Sequence, residues 1–187
     1  MRTTILIAAL SVATACAQVG APPQPVAAKA TAPVGSAAKT SITRQSFKTL
    51  EDHFNEKLAT FNSAEPIYML GATRGVYLEG FGTIFSVELD LIQSPTINPF
   101  HRQILKEEVD ATHSRKLKQL PLLEKAVQNQ MMSAARSLDA VPANEQFVMV
   151  VRLDYQNWEN TAGLPGQILL RADRKSVAAG QIQMEEQ

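Results

Sequence analysis

The sequence predicts an α+β fold. It is a two-layer sandwich, with an antiparallel sheet of about four strands in two hairpins. An N-terminal helix and a long, Pro-broken helical segment lie on one face. Three observations predict it. Residues 83–91 and 147–155 alternate apolar and polar positions, the period of two that marks a half-buried strand. Residues 47–61 and 100–138 repeat their apolar positions every three or four residues, the helical period. The order helix, strand, strand, helices, strand, strand segregates the helices on one side of the sheet.

Ahead of this domain, residues 1–17 read as an export signal. Arg2 supplies the positive start, Ile5 to Val12 a short apolar core, and small residues follow to Ala17. The apolar run falls far short of the ~20 residues that span a bilayer. Ala15-Cys16-Ala17 fits an A-x-A cleavage pattern that leaves Gln18 first. The alternative is a lipoprotein. Ala13-Thr14-Ala15-Cys16 resembles a bacterial lipobox, with Ala13 where Leu is usual, and Cys16 would then be the lipidation site and the only link to a membrane. Either way the expected location is outside the cytoplasm, in the periplasm, the secreted fraction or the bacterial cell envelope. Residues 18–45 are rich in Ala, Pro, Val, Ser and Thr. Prolines block a helix and small side chains bury little area, so this stretch reads as a flexible linker.

Cys16 is the single cysteine in 187 residues, which leaves the domain no disulfide framework, thiolate metal site or cysteine nucleophile. Eighteen basic residues balance eighteen acidic ones. That balance argues against nucleic acid or an anionic membrane surface as a partner, since both select a basic excess.

The first helix is expected over residues 46–61, with Phe47, Leu50, Phe54, Leu58 and Phe61 on one stripe, Ser46 as its cap, and Glu51 off the stripe. Residues 68–92 follow as a hairpin. Gly80 and Gly82 suit a turn that needs positive φ, and Gly75 a bend. The glycine spacing matches neither a Walker loop nor a dinucleotide fingerprint. A helical region from Phe100 to Leu138 is expected to break just before Pro121, because a proline inside a helix removes a hydrogen bond. Residues 145–155 and 167–174 form the second hairpin. After that a short strand or helix turn at 176–179 gives way to a frayed tail at 181–187. The domain spans residues 46–180.

No arrangement points to a defined chemistry. Glu88 and Asp90, Arg152 and Asp154, and Arg171 and Asp173 are i, i+2 pairs, so each pair shares one side of its strand. Away from the helices they predict a charged, solvated sheet face with cross-strand ion pairs. As a functional surface, that face is a platform for a small ligand or another envelope protein. Its residues are Arg74, Glu79, Glu88, Asp90, Arg152, Asp154 and Arg171, with Tyr155 and Trp158 at the rim, since aromatics and Arg concentrate at binding hot spots. The alternative is an envelope hydrolase or metal-dependent enzyme. Glu107, Asp110 and His113 recur every three residues on one helical side, with His101 behind them, a donor set of the kind that binds zinc. No H-E-x-x-H and no G-x-S-x-G is present. Lys116, between Arg115 and Lys118, reads as part of a solvated helix face. No cofactor is implied, and the leading reading is a non-catalytic binding module.

Overall fold

A computed structural model describes residues 42–187 of the chain. The export signal, Cys16 and most of the linker lie outside the described residues. The fold is mixed α+β. Its elements are α1 (Arg44–Thr60), β1 (Tyr68–Met69), β2 (Arg74–Leu78), β3 (Gly82–Asp90), α2 (Lys106–Ser137), β4 (Gln146–Leu153), β5 (Gln167–Asp173), α3 (Arg174–Ala178) and β6 (Gln183–Glu186).

The strands form one six-stranded sheet. β1 and β2 both pair antiparallel with β3, β4 runs parallel to β3, and β5 and β6 complete the sheet antiparallel. The two expected hairpins are present, but they meet through a parallel β3–β4 pair, so the sheet is not purely antiparallel. The expected frayed tail forms β6, with Met184 opposite Leu170.

The parallel pair and the long helix have one cause. α2 is continuous for 32 residues and contains Pro121 in its interior. One unbroken helix carries the chain from the C-terminal end of β3 back to its starting end, and β4 then runs the same way. A helix pair broken at Pro121 would have returned the chain to the end it left. Pro121 is tolerated because it is exposed. The carbonyl it deprives of a partner belongs to Leu117, which is itself exposed, so water can serve it on the convex side. Leu120 and Leu123 stay buried on the opposite side.

Alternate residues of the strands enter the core. Phe85, Val87, Leu89, Phe147, Met149, Val151, Ile168 and Leu170 join Phe47, Phe54 and Leu58 of α1 and Leu123, Val127 and Met131 of α2 in one buried cluster. Phe85 is its centre, with ring centroids 5.6 Å from Phe47, 5.1 Å from Phe54 and 5.6 Å from Phe147. Gly75 is a close-approach position: a Cβ there would lie 2.6 Å from both Phe47 and Phe85 ring carbons. Gly82 opens β3 at φ +130°, and a Cβ there would sit 1.9 Å from the carbonyl oxygen of Gln146. Only glycine lets the first rung of the parallel pair form.

The ends of α1 and α2 differ in detail from expectation. Thr43, not Ser46, caps α1, its Oγ1 accepting from the Ser46 N–H at 3.2 Å. α2 starts at Lys106, and the Glu108 carboxylate accepts from the Leu105 N–H at 2.8 Å. Glu51 is buried, not solvated. It accepts both Arg44 guanidinium nitrogens at 2.7 and 2.8 Å and the Gly75 N–H at 2.8 Å. One turn on, the Asn55 side-chain oxygen accepts the Thr73 N–H at 2.8 Å. Two side chains of α1 thus occupy donors along the outer edge of β2, where a foreign strand would otherwise add.

Candidate functional site

The strand residues that point away from the core make a continuous outward face. One rung carries Val76, Ile84, Val148 and Arg171. The next carries Arg74, Ser86, Val150, Leu169 and Glu185, and a third carries Glu88, Arg152 and Gln167. The expected ion pairs occur at its rim, with Glu88 to Arg152 at 3.7 Å and Arg171 to Glu185 at 2.7 Å. The centre differs from expectation. It is aliphatic, not salt-covered, and Val76 and Leu78 remain 48% and 47% exposed.

A cleft of about 230 Å³ opens where β3 and β4 end, lined by Tyr68, Leu70, Asp90, Gln93, Ser94, Thr96, Asp154 and Gln156. Asp90 and Asp154 each follow the last rung of the parallel pair, Leu89 opposite Leu153, so the register sets the two residues at neighbouring strand ends, and both line the cleft. Ends of parallel strands are a recurrent seat for ligands, because the chains diverge there and leave a crevice. Asp90 is buried. Its oxygens accept from the Ile92 N–H and the Ser94 hydroxyl, both at 3.3 Å. Asp154 is half-buried, and no described cation neutralises its carboxylate.

Behind Asp90 lies the feature that sequence reasoning missed. Lys116 of α2 is fully buried, its Nζ 2.6 Å from Asp90 and 2.5 Å from Glu159. The ammonium also stands 4.8 Å from the Tyr155 ring centroid, a cation–π contact. Burial pushes the Asp90 carboxyl above its ordinary range, and the Lys116 ammonium pulls it part of the way back. Burial, then the Glu159 and Asp90 charges, push the Tyr155 phenol up as well. Its hydroxyl donates to the Pro165 carbonyl at 2.6 Å. Two carboxylates around one ammonium leave the cluster with a net negative charge, and one Glu159 oxygen is buried without a hydrogen-bond partner.

The same cluster fixes the loop between β4 and β5. Lys116 holds Glu159, and the His113 Nδ1 lies 2.8 Å from the Asn160 carbonyl oxygen. Trp158 therefore sits on a loop pinned to α2 and does not line the cleft. Glu79 lies in the turn before β3, at the opposite end of that strand from Asp90. Of the expected platform, Arg74, Glu88, Arg152 and Arg171 share the outward face; Asp90, buried against Lys116, and Asp154 line the cleft instead, and Glu79 and Trp158 join neither.

The alternative metal site is not assembled. His101 Nε2 lies 3.3 Å from Glu108, and His113 is turned to Asn160. Glu107 and Asp110 are exposed. Among the described residues no three His, Cys, Asp or Glu side chains converge on one point, and no helix is long and apolar enough to cross a membrane. No family model, curated relative or solved structure matches the chain.

Proposed function

We propose that this chain is a non-catalytic binding module acting outside the cytoplasm, a two-layer sandwich whose ligand seat is the cleft at the ends of β3 and β4. The observation that carries this reading is the presence of both Asp90 and Asp154 in the lining of that cleft. Asp90 is answered from behind by Lys116, whereas Asp154 faces the opening uncompensated. Tyr68 and Leu70, 54% and 46% exposed, form an apolar wall beside it. A small ligand with one ammonium group and an apolar body matches this arrangement. The ammonium takes Asp154, the body lies on Tyr68 and Leu70, and Ser94, Thr96 and the two glutamines supply neutral hydrogen bonds.

Titration with a panel of aliphatic and aryl primary amines, followed by amide chemical shifts, tests the proposal. The expected result is saturable shifts at residues 68–70, 90–96 and 154–156. Asp154→Asn should weaken the best amine by about ten- to a hundredfold, the worth of one charge-assisted hydrogen bond. Binding that is indifferent to Asp154→Asn, or no shifts in the cleft with any amine, overturns it.

A further inference from the structure

The cluster behind the cleft holds one ammonium and two carboxylates. The Lys116, Asp90 and Glu159 side chains are 0%, 8% and 1% exposed, and the Lys116 Nζ touches both acids, Asp90 Oδ1 at 2.6 Å and Glu159 Oε2 at 2.5 Å. One carboxylate neutralises a buried ammonium; a second is a charge that a static ion pair does not need and that is costly to desolvate. We propose that Lys116 condenses with Asp90 to form an intramolecular isopeptide bond, with Glu159 as the base that carries the proton. Until the bond closes, the three groups form the ion cluster described above. The inference does not depend on the cleft having a ligand.

Each part that the reaction needs has a residue in place. Asp90 is the electrophile. Burial pushes its carboxyl above the ordinary range, toward the protonated acid that an amine can attack. Its Oδ1 accepts from the Ile92 N–H and its Oδ2 from the Ser94 hydroxyl, both at 3.3 Å. A backbone donor therefore already lies on the oxygen that gains charge during attack. Glu159 is the base. Its Oε2 is on Nζ, and its Oε1 is buried without a hydrogen-bond partner, an oxygen that a static ion pair leaves idle and a proton carrier uses. The Tyr155 ring, 4.8 Å from Nζ, walls the amine from water, the competing nucleophile. Asp90 also lines the cleft, which gives the product water a way out.

The step balances without an oxidant or an activating group. One ammonium proton passes to the Asp90 carboxylate and settles on Oδ2, leaving an amine and an acid with no change in net charge. The Nζ lone pair attacks Cγ, the C–N bond forms, and the C=O electron pair moves onto Oδ1. Glu159 takes a second proton from Nζ and returns it to the Oδ2 hydroxyl. The Cγ–Oδ2 bond breaks, water leaves, and Oδ1 becomes the carbonyl oxygen of the new amide. Reactants held in contact reach effective concentrations on the order of 10⁵–10⁸ M, which favours condensation over hydrolysis in a site that excludes water. The bond closes a ring through residues 90–116 and ties the end of β3 to α2. No disulfide can make that tie, because the sequence has no cysteine after Cys16.

Denaturation and tryptic digestion of the whole chain, as the cell processes it, followed by mass spectrometry, test the bond. Trypsin does not cut at an acylated lysine. The expected product is a branched peptide, residues 75–102 joined to 116–118, lighter by one water than the two peptides together. Its fragment ions should place the link at Asp90 and Lys116. Lys116→Arg keeps the positive charge and should give no branched peptide. Glu159→Gln keeps the shape and should slow the appearance of the branched peptide by about a hundredfold or more, the worth of a positioned base. The fragment ions of the wild-type peptide decide the matter even if a variant fails to fold. Recovery of residues 75–102 and 117–118 only as separate peptides from folded wild type overturns the proposal. A bond that forms as fast in Glu159→Gln overturns the role given to Glu159.

Discussion

Lys116 occupies a position that the helical period assigns to the core. It lies four residues after Thr112 and seven before Leu123, both buried. Glu51 does the same in α1, four residues after Phe47 and three before Phe54. Both were legible by spacing, yet residue type argued the other way, since Lys and Glu are almost never fully buried unless paired. Lys116 draws its partners from distant segments, Asp90 and Glu159, and no local pattern announces them. Glu51 has one local partner, Arg44 two turns earlier in α1, and one distant one, the Gly75 backbone. The buried ion cluster makes a sharp prediction. Lys116→Met leaves two buried carboxylates without a cation and should cost about 3–5 kcal/mol at neutral pH. Adding Asp90→Asn and Glu159→Gln should recover most of that loss, as read by urea denaturation.

At the scale of elements, Pro121 decides more than a kink. Sequence rules break the helix there, and the two hairpins with helices on one side lead separately to the expectation of an antiparallel sheet. The structure keeps α2 whole, and a single helical pass makes β4 parallel to β3. Burial chose between these outcomes. Thr112, Lys116, Leu120, Leu123, Val127 and Met131 are buried along one side of α2, and that anchoring outweighs the roughly 3 kcal/mol cost of an interior proline. Pro121→Ala should therefore stabilise the protein by about 1–3 kcal/mol, the lost helix propensity being recovered against a small gain in unfolded-chain entropy. The measurement is the urea midpoint at unchanged slope. A destabilised Pro121→Ala would show that the proline is required by the helix path. The two hairpins were readable because each rests on local alternation and a turn. β6 was not, because Gln183–Glu186 is mostly polar and takes its order from pairing with β5 and from Met184 packing on the core.

For the whole molecule, five carboxyl groups fall into two sets with opposite pH effects. Three are held below their ordinary range. For Glu51, burial acts against the charge, and the Arg44 and Gly75 bonds outweigh it. The Leu105 N–H lowers Glu108, and the Ser176 N–H lowers Asp173. Their stabilisation is present above the unfolded value and is lost as pH falls through the folded one. Asp90 and Glu124 are raised, both chiefly by burial and Glu124 also by Glu186. The folded state binds those protons more tightly, so stability rises as pH falls through their folded values. On acidification from neutrality, the melting temperature should first climb and then drop. Glu124→Gln should flatten the climb, and Glu51→Gln should flatten the drop. A scan of melting temperature between about pH 3 and pH 8 reads both limbs.

By itself the sequence determined the α+β class, the apolar stripe of α1 and of the second half of α2, the turn before β3 and the core-facing residues of the strands, because each follows from a period of two or 3.6 and from the steric freedom of glycine. Tertiary structure alone decided the parallel β3–β4 pair, the burial of Lys116 and Glu51, and the cleft lined by Asp90 and Asp154. Each of these depends on which distant segment comes to lie alongside. A buried charge or a strand direction is set by its neighbour across the fold, and a one-dimensional pattern carries no record of that neighbour.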